Sequence, residues 1–327
     1  MEIIDNLSKV NLNSDTILTV GAFDGVHRGH QYLIQQMVEE ARQTKRLAGL
    51  ITFHPHPSAV LSPYNPTRYL STPGEKAALL ERLGLDILAI LPFDQGMAQT
   101  SAQDFVDLVC RHLHMVELWV GEDFALGRAR EGDVEALRAM GQELGFTVRV
   151  IEPLTWRSQI ISSTRIRSLL LKGKVRQAAQ LLGRYPSLAG EVVRGSQRGH
   201  CLGFPTANLE VREERVIPAD GIYAVYARLG EERRQGVANV GVRPSFEIGG
   251  ARIVEVHILD FEEEIYGCDL VVEFVERLRE ERRYDDMEEL KAQIERDVGK
   301  ARRILAEAPP TSATSKLVLS LVEVNDR

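Results

Sequence analysis

The sequence predicts an α/β protein with two parts: a doubly wound parallel sheet, followed by a small antiparallel β-barrel with a terminal helix. Up to about residue 153, short and continuously apolar runs alternate with amphipathic segments, which is typical of parallel strands covered by helices on both faces. Beyond about residue 185, several runs alternate apolar and polar residues with period two, between glycines and charged turns. This second pattern is typical of antiparallel strands that close into a barrel.

The N-terminal half contains five predicted strands. They are TILTVGAF (16–23), LAGLITF (47–53), DILAILPF (86–93), VELWVG (116–121) and FTVRVIEP (146–153). Ligands of doubly wound sheets bind beyond the carboxyl ends of the strands. The segments that directly follow the first, second and fourth runs, residues 21–30, 54–57 and 121–127, are therefore candidate binding segments.

The C-terminal half begins after two short predicted helices within residues 160–185. The predicted barrel strands are SLAGEVVRG, GIYAVYARLG, QGVANVG, RIVEVHILDF and LVVEFVERL. A final amphipathic helix should pack on the barrel through Met287, Leu290, Ile294 and Val298, which share one face. We therefore predict domains at 1–185 and 186–308, followed by a tail at 309–327.

Composition restricts the class of partner. The net charge of −7 over 327 residues argues against nucleic acid or an anionic membrane as the main partner. Cys110, Cys201 and Cys268 are far apart and odd in number, which indicates reduced thiols in a cytoplasmic protein. The N-terminus lacks the apolar run of a signal peptide, and no stretch approaches the length of a membrane span. The oligomeric state is left open.

The first candidate site is GAFDGVHRGH (21–30). His27 and His30 are three residues apart, so near a helix start they share one face. Free amides and the helix dipole attract phosphate there, and Gly25 and Gly29 leave room for the ligand. Imidazole groups at this position can stabilise charge on a phosphorus atom under attack. The alternative is a glycine turn with two incidental histidines.

The second element of this site is ISSTRIR (161–167). Ser162 or Ser163 can cap a helix, on which Thr164 and Arg167 share a face, with Ile166 and Leu169 left for the core. The arrangement offers one hydroxyl, several amides and one guanidinium to a single anion. A capped surface helix without a ligand remains the alternative.

The second candidate site is VRGSQRGHCLGFPTANLE (193–210). Its glycines, at 195, 199 and 203, lie outside any helical pattern and can wrap phosphates. Thr206 and Asn208 point to the same side of an extended chain, and their oxygens suit Mg²⁺. The alternative is a β-turn whose polar side chains satisfy the local backbone.

RIVEVHILDF supplies a candidate general base for that site. Counting by twos, Glu255 and His257 share one face of the strand, whereas Val254 and Val256 share the other. A carboxylate among apolar neighbours has a raised pKa, which suits a base acting on an alcohol. The alternative is an outward-facing pair on the solvated side of the barrel.

The N-terminal motifs carry a family resemblance. GAFDGVHRGH with ISSTRIR resembles the Rossmann-like nucleotidyltransferase superfamily, and FDGVHRGH, TFHPHP and VGEDF are similar to the FAD synthetase module of bacterial bifunctional riboflavin kinase/FAD synthetases. The resemblance implies catalytic roles for His27 and His30. It implies ATP-phosphate binding by Gly21, Phe23, Asp24, Gly29, Ser162, Ser163, Thr164 and Arg167, and flavin binding by His54, His56, Pro57 and Asp123. The sequence departs from the family at Ala125, where an arginine is commoner, and Arg128 is close enough to substitute.

The C-terminal motifs resemble the riboflavin kinase domain of the same family. LGFPTANL, GIYAVY, GVANVGVRPSF, EVHILDF, YGCDL and LREERRY occur in the expected order. The resemblance implies that Thr206 and Asn208 contact Mg²⁺ and ATP phosphate beside Gly199 and Gly203. It further implies that Glu255 is the base toward the ribityl hydroxyl and that Arg279 and Glu281 lie near the flavin.

Together the two resemblances, over roughly residues 15–305, imply a bifunctional enzyme that makes FMN from riboflavin and FAD from FMN. ATP is its co-substrate and Mg²⁺ its cofactor, and riboflavin, FMN and ATP are its partners. One alternative is an adenylyltransferase for another phosphorylated acceptor, which the kinase-like second domain disfavours. A flavin-binding protein without catalysis is the other, disfavoured because every expected reactive residue is present.

Overall fold

The structure, a computed structural model, describes residues 1–195, 203–242 and 252–308. Contacts between Cα atoms divide the chain into two compact units, Met1–Ser162 and Ser163–Arg327, and each is described here by itself. This division falls ahead of the domain boundary predicted at residue 185, which stays a prediction about where the two functions separate. Among the described helices, none combines the length and the apolar character needed to cross a bilayer.

The first unit is built from one large parallel sheet and six helices among its described residues. The strands are β1 (Glu2–Ile4), β2 (Thr16–Val20), β3 (Leu47–His54), β4 (Ile87–Pro92), β5 (Met115–Gly121), β6 (Ala125–Leu126), β7 (Gly132–Asp133), β8 (Thr147–Ile151), β9 (Thr155–Trp156) and β10 (Gln159–Ile160). The helices are α1 (Arg28–Gln43), α2 (Pro57–Leu61), α3 (Pro73–Arg82), α4 (Gln95–Gln99), α5 (Ala102–Leu113) and α6 (Val134–Leu144).

The large sheet has the order β1-β4-β3-β2-β5-β8, with every pair parallel. The chain runs outward from β2 through β3 to β4 and then returns to the other side of β2 with β5. The carboxyl ends of β2 and β5 therefore form the switch point at which doubly wound sheets bind ligands. The predicted doubly wound sheet is confirmed, and the short edge strand β1 is an addition too brief to show periodicity.

The packing of strand β2 on both of its faces explains why its sequence is continuously apolar. Ile17 packs into the core cluster that contains residues of α1 and α3, whereas Leu18 and Val20 pack into the cluster on the other face with α5 and α6. All five residues of the strand are buried. Helices therefore cover both faces of the sheet, as the sequence predicts.

The second unit is a closed six-stranded antiparallel barrel with helices. The strands are β11 (Ser187–Val193), β12 (Ala207–Glu210), β13 (Gly221–Leu229), β14 (Glu232–Val242), β15 (Arg252–Ile258) and β16 (Asp269–Arg279), in the order β11-β12-β15-β14-β13-β16. The helices are α7 (Ser163–Leu171), α8 (Val175–Leu182) and α9 (Met287–Glu307). The barrel and its terminal helix confirm the prediction, and β12, which contains Asn208, is the strand that the periodicity did not identify.

The terminal helix α9 packs on the barrel through the predicted side. Asp297, Ala301 and Leu305 form its buried stripe, and Leu290, Ile294 and Val298 on the same side are partly buried. Met287, near the start of the helix, is 59 % exposed and does not take part. The sequence analysis did not predict Asp297, whose buried carboxylate accepts from the guanidinium of Arg279 on β16 at 2.8 Å. In helix α7, Leu170 is buried beside Ile166 instead of the predicted Leu169.

Candidate active sites

The loop between β2 and α1 lies at the switch point of the sheet, and it is held in an unusual backbone conformation. Phe23, Gly25 and Val26 all have positive φ values, of 45°, 78° and 37°. Only glycine adopts such values without strain, so Phe23 and Val26 must be held by their surroundings. Strained residues that the surrounding structure enforces are concentrated at functional sites.

Hydrogen bonds from several side chains hold this loop in place. The Asp24 carboxylate accepts from the backbone N–H groups of Leu70 and Ser71 at 3.0–3.1 Å. Lys76 Nζ donates to the Ala22 carbonyl at 2.6 Å, and Gln31 Nε2 donates to the Val26 carbonyl at 2.8 Å. Asp24, predicted to bind phosphate, therefore anchors the loop to a segment almost fifty residues further along the chain.

Lys76 is a residue that the sequence analysis missed. Its side chain is buried at the first turn of α3, and it also donates to Thr52 Oγ1 at 3.1 Å. Burial lowers the pKa of Lys76 to about 8, and the nearby Asp24 carboxylate partly opposes that shift. The sequence does contain a signal for this burial, because Lys76 lies four residues before Leu80 and so shares the buried face of the helix with it.

His27 caps α1, and His30 lies directly against it. His27 Nδ1 accepts from the His30 backbone N–H at 3.3 Å, which places the ring proton of a neutral imidazole at Nε2. The two imidazole rings are stacked with centroids 3.5 Å apart, and the Phe23 ring lies 4.6 Å from His30. The ring of Phe23 also lies 3.0 Å from the place a Gly21 Cβ would occupy.

Gly29 brings a further predicted segment to the start of α1. A Cβ on Gly29 would stand 3.3 Å from the His27 ring and 3.7 Å from the carbonyl oxygen of Ile161. Ile161 directly precedes Ser162 in the chain, so this predicted phosphate-binding serine follows a residue next to the histidine turn. Ser163, Thr164 and Arg167 belong to the second unit, on helix α7.

The predicted flavin-binding residues do not all reach one pocket. His54 lines a pocket at the carboxyl end of β3, together with Thr52, Phe53, Tyr69, Ser71, Pro73, Lys76 and Ile90. His56 instead caps α2, because its Nδ1 accepts from the Ser58 N–H at 3.1 Å, and Pro57 is the first residue of that helix. Asp123 lines a separate and more open pocket, where Arg130 donates to its backbone carbonyl at 2.8 Å.

The second site is a row of three polar residues across adjacent barrel strands. Glu255 on β15 is paired in register with Asn208 on β12 and with Asn239 on β14. Val254 and Val256 are completely buried on the opposite face, as the alternation predicts. The neighbours of Glu255 across the sheet are therefore amides, where the sequence analysis expected apolar groups.

The two amides present unused oxygens. No described residue donates a hydrogen bond to Oδ1 of Asn208 or to Oδ1 of Asn239, although both atoms are buried. Buried oxygens of this kind are costly unless a ligand, ion or water satisfies them. Asn239 was missed as a site residue, because the sequence analysis named no site residue in the predicted strand QGVANVG.

The glycine segment passes close to Asn208. A Cβ on Gly195 would stand 2.1 Å from Asn208 Nδ2, so only glycine leaves room for this side chain. Gly203 has a φ of 83° and open space around it. Gly199, the third glycine of the predicted segment, lies outside the described residues.

The segment before β12 is attached to β15 by His257. His257 Nδ1 lies 2.8 Å from the carbonyl oxygen of Pro205, and its ring meets Phe204 edge to face at 5.4 Å. These contacts fix the position of Thr206, which directly follows Pro205. His257 therefore orients the stretch that presents the predicted magnesium-binding hydroxyl.

Arg279 and Glu281, predicted near the flavin, have separate surroundings. Arg279 forms an ion pair with Asp297 on α9, in which Nε and a terminal nitrogen of the guanidinium donate to the carboxylate at 2.8–2.9 Å. The Glu281 carboxylate lies 2.9–3.0 Å from the place a Gly241 Cβ would occupy, on the same side of β14 as Asn239. Glu281 is thus close to the polar row, whereas Arg279 joins the helix to the barrel.

The described residues contain no cluster of three or more histidine, cysteine, aspartate or glutamate side chains that could hold a metal ion. A divalent cation held by the described residues of the barrel would therefore have at most two carboxylate or imidazole ligands and would rely for the rest on amide, hydroxyl and phosphate oxygens. Such oxygen ligands are typical of Mg²⁺ at nucleotide sites, where it keeps several waters.

The two units match two families of ATP-dependent transferases. The family model of FAD synthetase matches residues 9–165, and that of riboflavin kinase matches residues 182–305. The chain is 37 % identical over 310 residues to a bifunctional riboflavin kinase/FMN adenylyltransferase of Escherichia coli, covering 94 % of this chain and 98 % of that protein. A protein of the same name from Listeria monocytogenes is 37 % identical over 291 residues, covering 89 % and 92 %.

A solved structure supports the match over the whole fold. The crystal structure of a protein named as a macrolide-efflux protein from Streptococcus pneumoniae has a TM-score of 0.85 at 31 % identity, covering 92 % of this chain and 98 % of that one. The chain belongs to the bifunctional riboflavin kinase/FMN adenylyltransferase family. It phosphorylates riboflavin to FMN with ATP and then transfers the adenylyl group of ATP to FMN, which gives FAD and pyrophosphate.

Proposed function

We propose that the loop 21–30 performs adenylyl transfer in the first unit. The observation that carries this assignment is the stacked pair of His27 and His30 at the start of α1, directly after the strand at the switch point of the sheet. The FMN phosphate attacks the α-phosphorus of ATP, and His27 Nε2–H and the His30 imidazole stabilise the charge that develops there. Positioning and charge stabilisation supply most of the acceleration in such reactions.

We propose that the flavin of this reaction lies against the surface at the carboxyl end of β3, where His54 and Tyr69 line the mouth of a small cavity. The cavity itself is too small for the flavin ring system, so the contact would be on its outer side. His56 and Pro57 shape the adjoining loop, and Asp123 borders the more open neighbouring pocket. The assignment of Ser162, Ser163, Thr164 and Arg167 to the phosphates of ATP remains a sequence-based prediction.

In the second unit we propose that the polar row performs the kinase reaction. Glu255 removes the proton from the ribityl 5′-hydroxyl, whose oxygen then attacks the γ-phosphorus of ATP, and ADP leaves as the bond to the bridging oxygen breaks. The buried oxygens of Asn208 and Asn239 on either side of Glu255 support this assignment, because a bound cation or water would satisfy them. Gly203 and Gly199 would let the preceding backbone approach the phosphates of ATP.

The same oxygens fit Mg²⁺. Asn208 Oδ1 and the Thr206 hydroxyl would hold the ion, since both are neutral oxygen ligands of the type that Mg²⁺ accepts beside phosphate. When bound, Mg²⁺ neutralises charge on the transferred phosphoryl group. The residues around it hold the nucleotide and exclude water, and Glu255 handles the proton.

We also propose that the protein works in the cytoplasm. Cys110 and Cys268 are free thiols among the described residues, as expected in a reducing compartment. Burial raises the pKa of the Cys110 thiol to about 11, so this cysteine stays protonated and unreactive at neutral pH.

Two variants test the assignment of the two sites. His30→Ala should lower FAD formation by about 10²–10³, the usual cost of one transition-state donor, while FMN accumulates. Glu255→Gln should stop FMN formation and leave added FMN convertible to FAD. Flavin products are separated by chromatography after incubation with riboflavin, ATP and Mg²⁺. Equal loss of both products in His30→Ala, or loss of FAD formation from added FMN in Glu255→Gln, would contradict the separation of the sites.

A further inference from the structure

Arg28 is a buried cation at the start of α1. It is the first residue of that helix and is only 6 % exposed. Among the described residues, none forms a hydrogen bond or an ion pair with its guanidinium, and Nε is buried without a partner. Desolvation lowers the pKa of the Arg28 guanidinium, and no carboxylate opposes that effect.

Two features make this position unfavourable for a cation in the ligand-free protein. A charge that is largely removed from water loses much of its hydration, and without a counter-ion nothing replaces what is lost. The start of a helix adds a second cost, since the helix dipole places positive charge there and favours anions. Lys76, the other buried cation of this region, differs because Asp24 lies near enough to oppose the fall in its pKa.

Packing alone does not account for an arginine at this position. Arg28 heads the buried stripe of α1, which continues through Gln31, Ile34, Met37 and Ala41. An apolar side chain of similar length would continue the same stripe without the cost of desolvation. The charge therefore requires an explanation outside the ligand-free fold.

We propose that Arg28 binds a phosphate group of an adenylyl-transfer substrate. The anion would give the guanidinium its missing counter-charge and would interact favourably with the same helix start that the histidines occupy. This inference rests on the proposed placement of adenylyl transfer at residues 21–30. It adds a binding residue to the middle of HRGH, between two histidines that act on the reacting phosphorus atom.

The proposal makes opposite predictions for stability and for binding. Arg28→Met keeps the length of the side chain and removes the charge, so the ligand-free first unit should be as stable as wild type or more stable. Both tryptophans of the chain, Trp119 and Trp156, lie in the first unit, so their fluorescence reports its unfolding specifically. Stabilisation by pyrophosphate, used as the probe, should be lost in Arg28→Met and retained in the control Arg138→Met, which removes an exposed arginine of the same unit.

Kinetics identify which phosphate is bound. FAD formation by Arg28→Met should fall by roughly 10- to 100-fold in kcat/KM, as for other hydrogen bonds to charged groups. A rise in KM for ATP alone assigns the triphosphate, and a rise in KM for FMN alone assigns the flavin phosphate. Riboflavin kinase activity of the same protein should not change, and Arg28→Lys should retain part of the activity because it keeps the charge.

Several separate results would each contradict a binding role for Arg28. A ligand-free Arg28→Met protein that is destabilised, yet responds normally to pyrophosphate, shows that Arg28 serves packing only. Normal FAD formation in Arg28→Met excludes a binding role directly. If this variant does not fold, normal kinetics in a folded Arg28→Ala has the same meaning. His30→Ala is measured in parallel, because full activity in that variant refutes the placement of the site and not the role of Arg28 alone.

Discussion

The imidazole rings of His27 and His30 are stacked with centroids 3.5 Å apart, and His27 Nδ1 accepts from the His30 backbone N–H. His27 therefore begins the helix as its N-cap, and this hydrogen bond holds the ring in place. The fixed ring supports the catalytic role that we propose for His27.

Two substitutions separate these roles of His27. Asparagine is a preferred N-cap residue, so His27→Asn should keep the stability of the first unit while FAD formation falls by about 10²–10³. His27→Ala should lose the same activity and in addition about 1 kcal/mol of unfolding free energy. Denaturant unfolding followed by tryptophan fluorescence measures the free energy of unfolding, and chromatography of the flavins measures FAD formation. Normal FAD formation in His27→Asn would mean that the imidazole is not needed.

Lys76 should make the stability of the first unit depend on pH in the alkaline range. Burial lowers the pKa of Lys76 from its ordinary 10.5 to about 8, so between these values the unfolded chain binds a proton that the folded chain has released. Unfolding then takes up protons, and the free energy of unfolding must rise with pH. Each pH unit is worth about 1.4 kcal/mol, so the full contribution is on the order of 3 kcal/mol.

The comparison with Lys76→Met measures this contribution. The variant lacks the titrating group, so the stability of wild type relative to the variant should increase from pH 8 to pH 10. Loss of the hydrogen bonds to Ala22 and Thr52 shifts the variant by an amount that is nearly constant with pH, because a neutral amine still donates both. Parallel pH profiles for the two proteins would show that Lys76 titrates normally in the fold.

The elements that the sequence predicted correctly are those in which the signal is local. HRGH marks a helix start because its histidine spacing and its glycine act within one turn. The apolar run of β2 needs no knowledge of its neighbours, and the alternation of Val254, Glu255 and Val256 identifies two faces of one strand.

The features that the sequence analysis missed depend on partners far away in the chain. Lys76 matters because it meets the Ala22 carbonyl, 54 positions earlier. Asp297 is buried on α9 beside its ion-pair partner Arg279, which lies on a different element of the barrel. Asn239 belongs to the polar row only because the barrel register places it opposite Glu255. No local pattern contains that information.

Gly195 should be required for the kinase reaction. A Cβ at this position would stand 2.1 Å from Asn208 Nδ2, so Gly195→Ala must displace either the segment or the asparagine. We expect FMN formation to fall at least about tenfold, which corresponds to ~1.4 kcal/mol, while FAD formation from added FMN is unchanged. Gly299→Ala is the matched control, because a Cβ there meets no atom within 4 Å. Unchanged FMN formation in Gly195→Ala would show that the position of Asn208 is not needed for phosphoryl transfer.

The ion pair between Arg279 and Asp297 should be required for the stability of the barrel. Asp297 is 5 % exposed, and its carboxylate also accepts from Gln293 Nε2 at 2.9 Å. Asp297→Ala would leave the Arg279 guanidinium without its counter-charge, and breaking a buried pair in this way typically costs about 3 kcal/mol or more. Riboflavin kinase activity remaining after incubation in urea reports the loss, because the tryptophans lie in the other unit. FAD formation from added FMN, which the first unit performs, should survive the same treatment as in wild type.

The control is Glu295→Ala, which removes an exposed carboxylate of the same helix. It should change the free energy of unfolding of the barrel by less than about 0.5 kcal/mol. If Asp297→Ala resists urea as well as Glu295→Ala does, the pair does not hold α9 against the barrel.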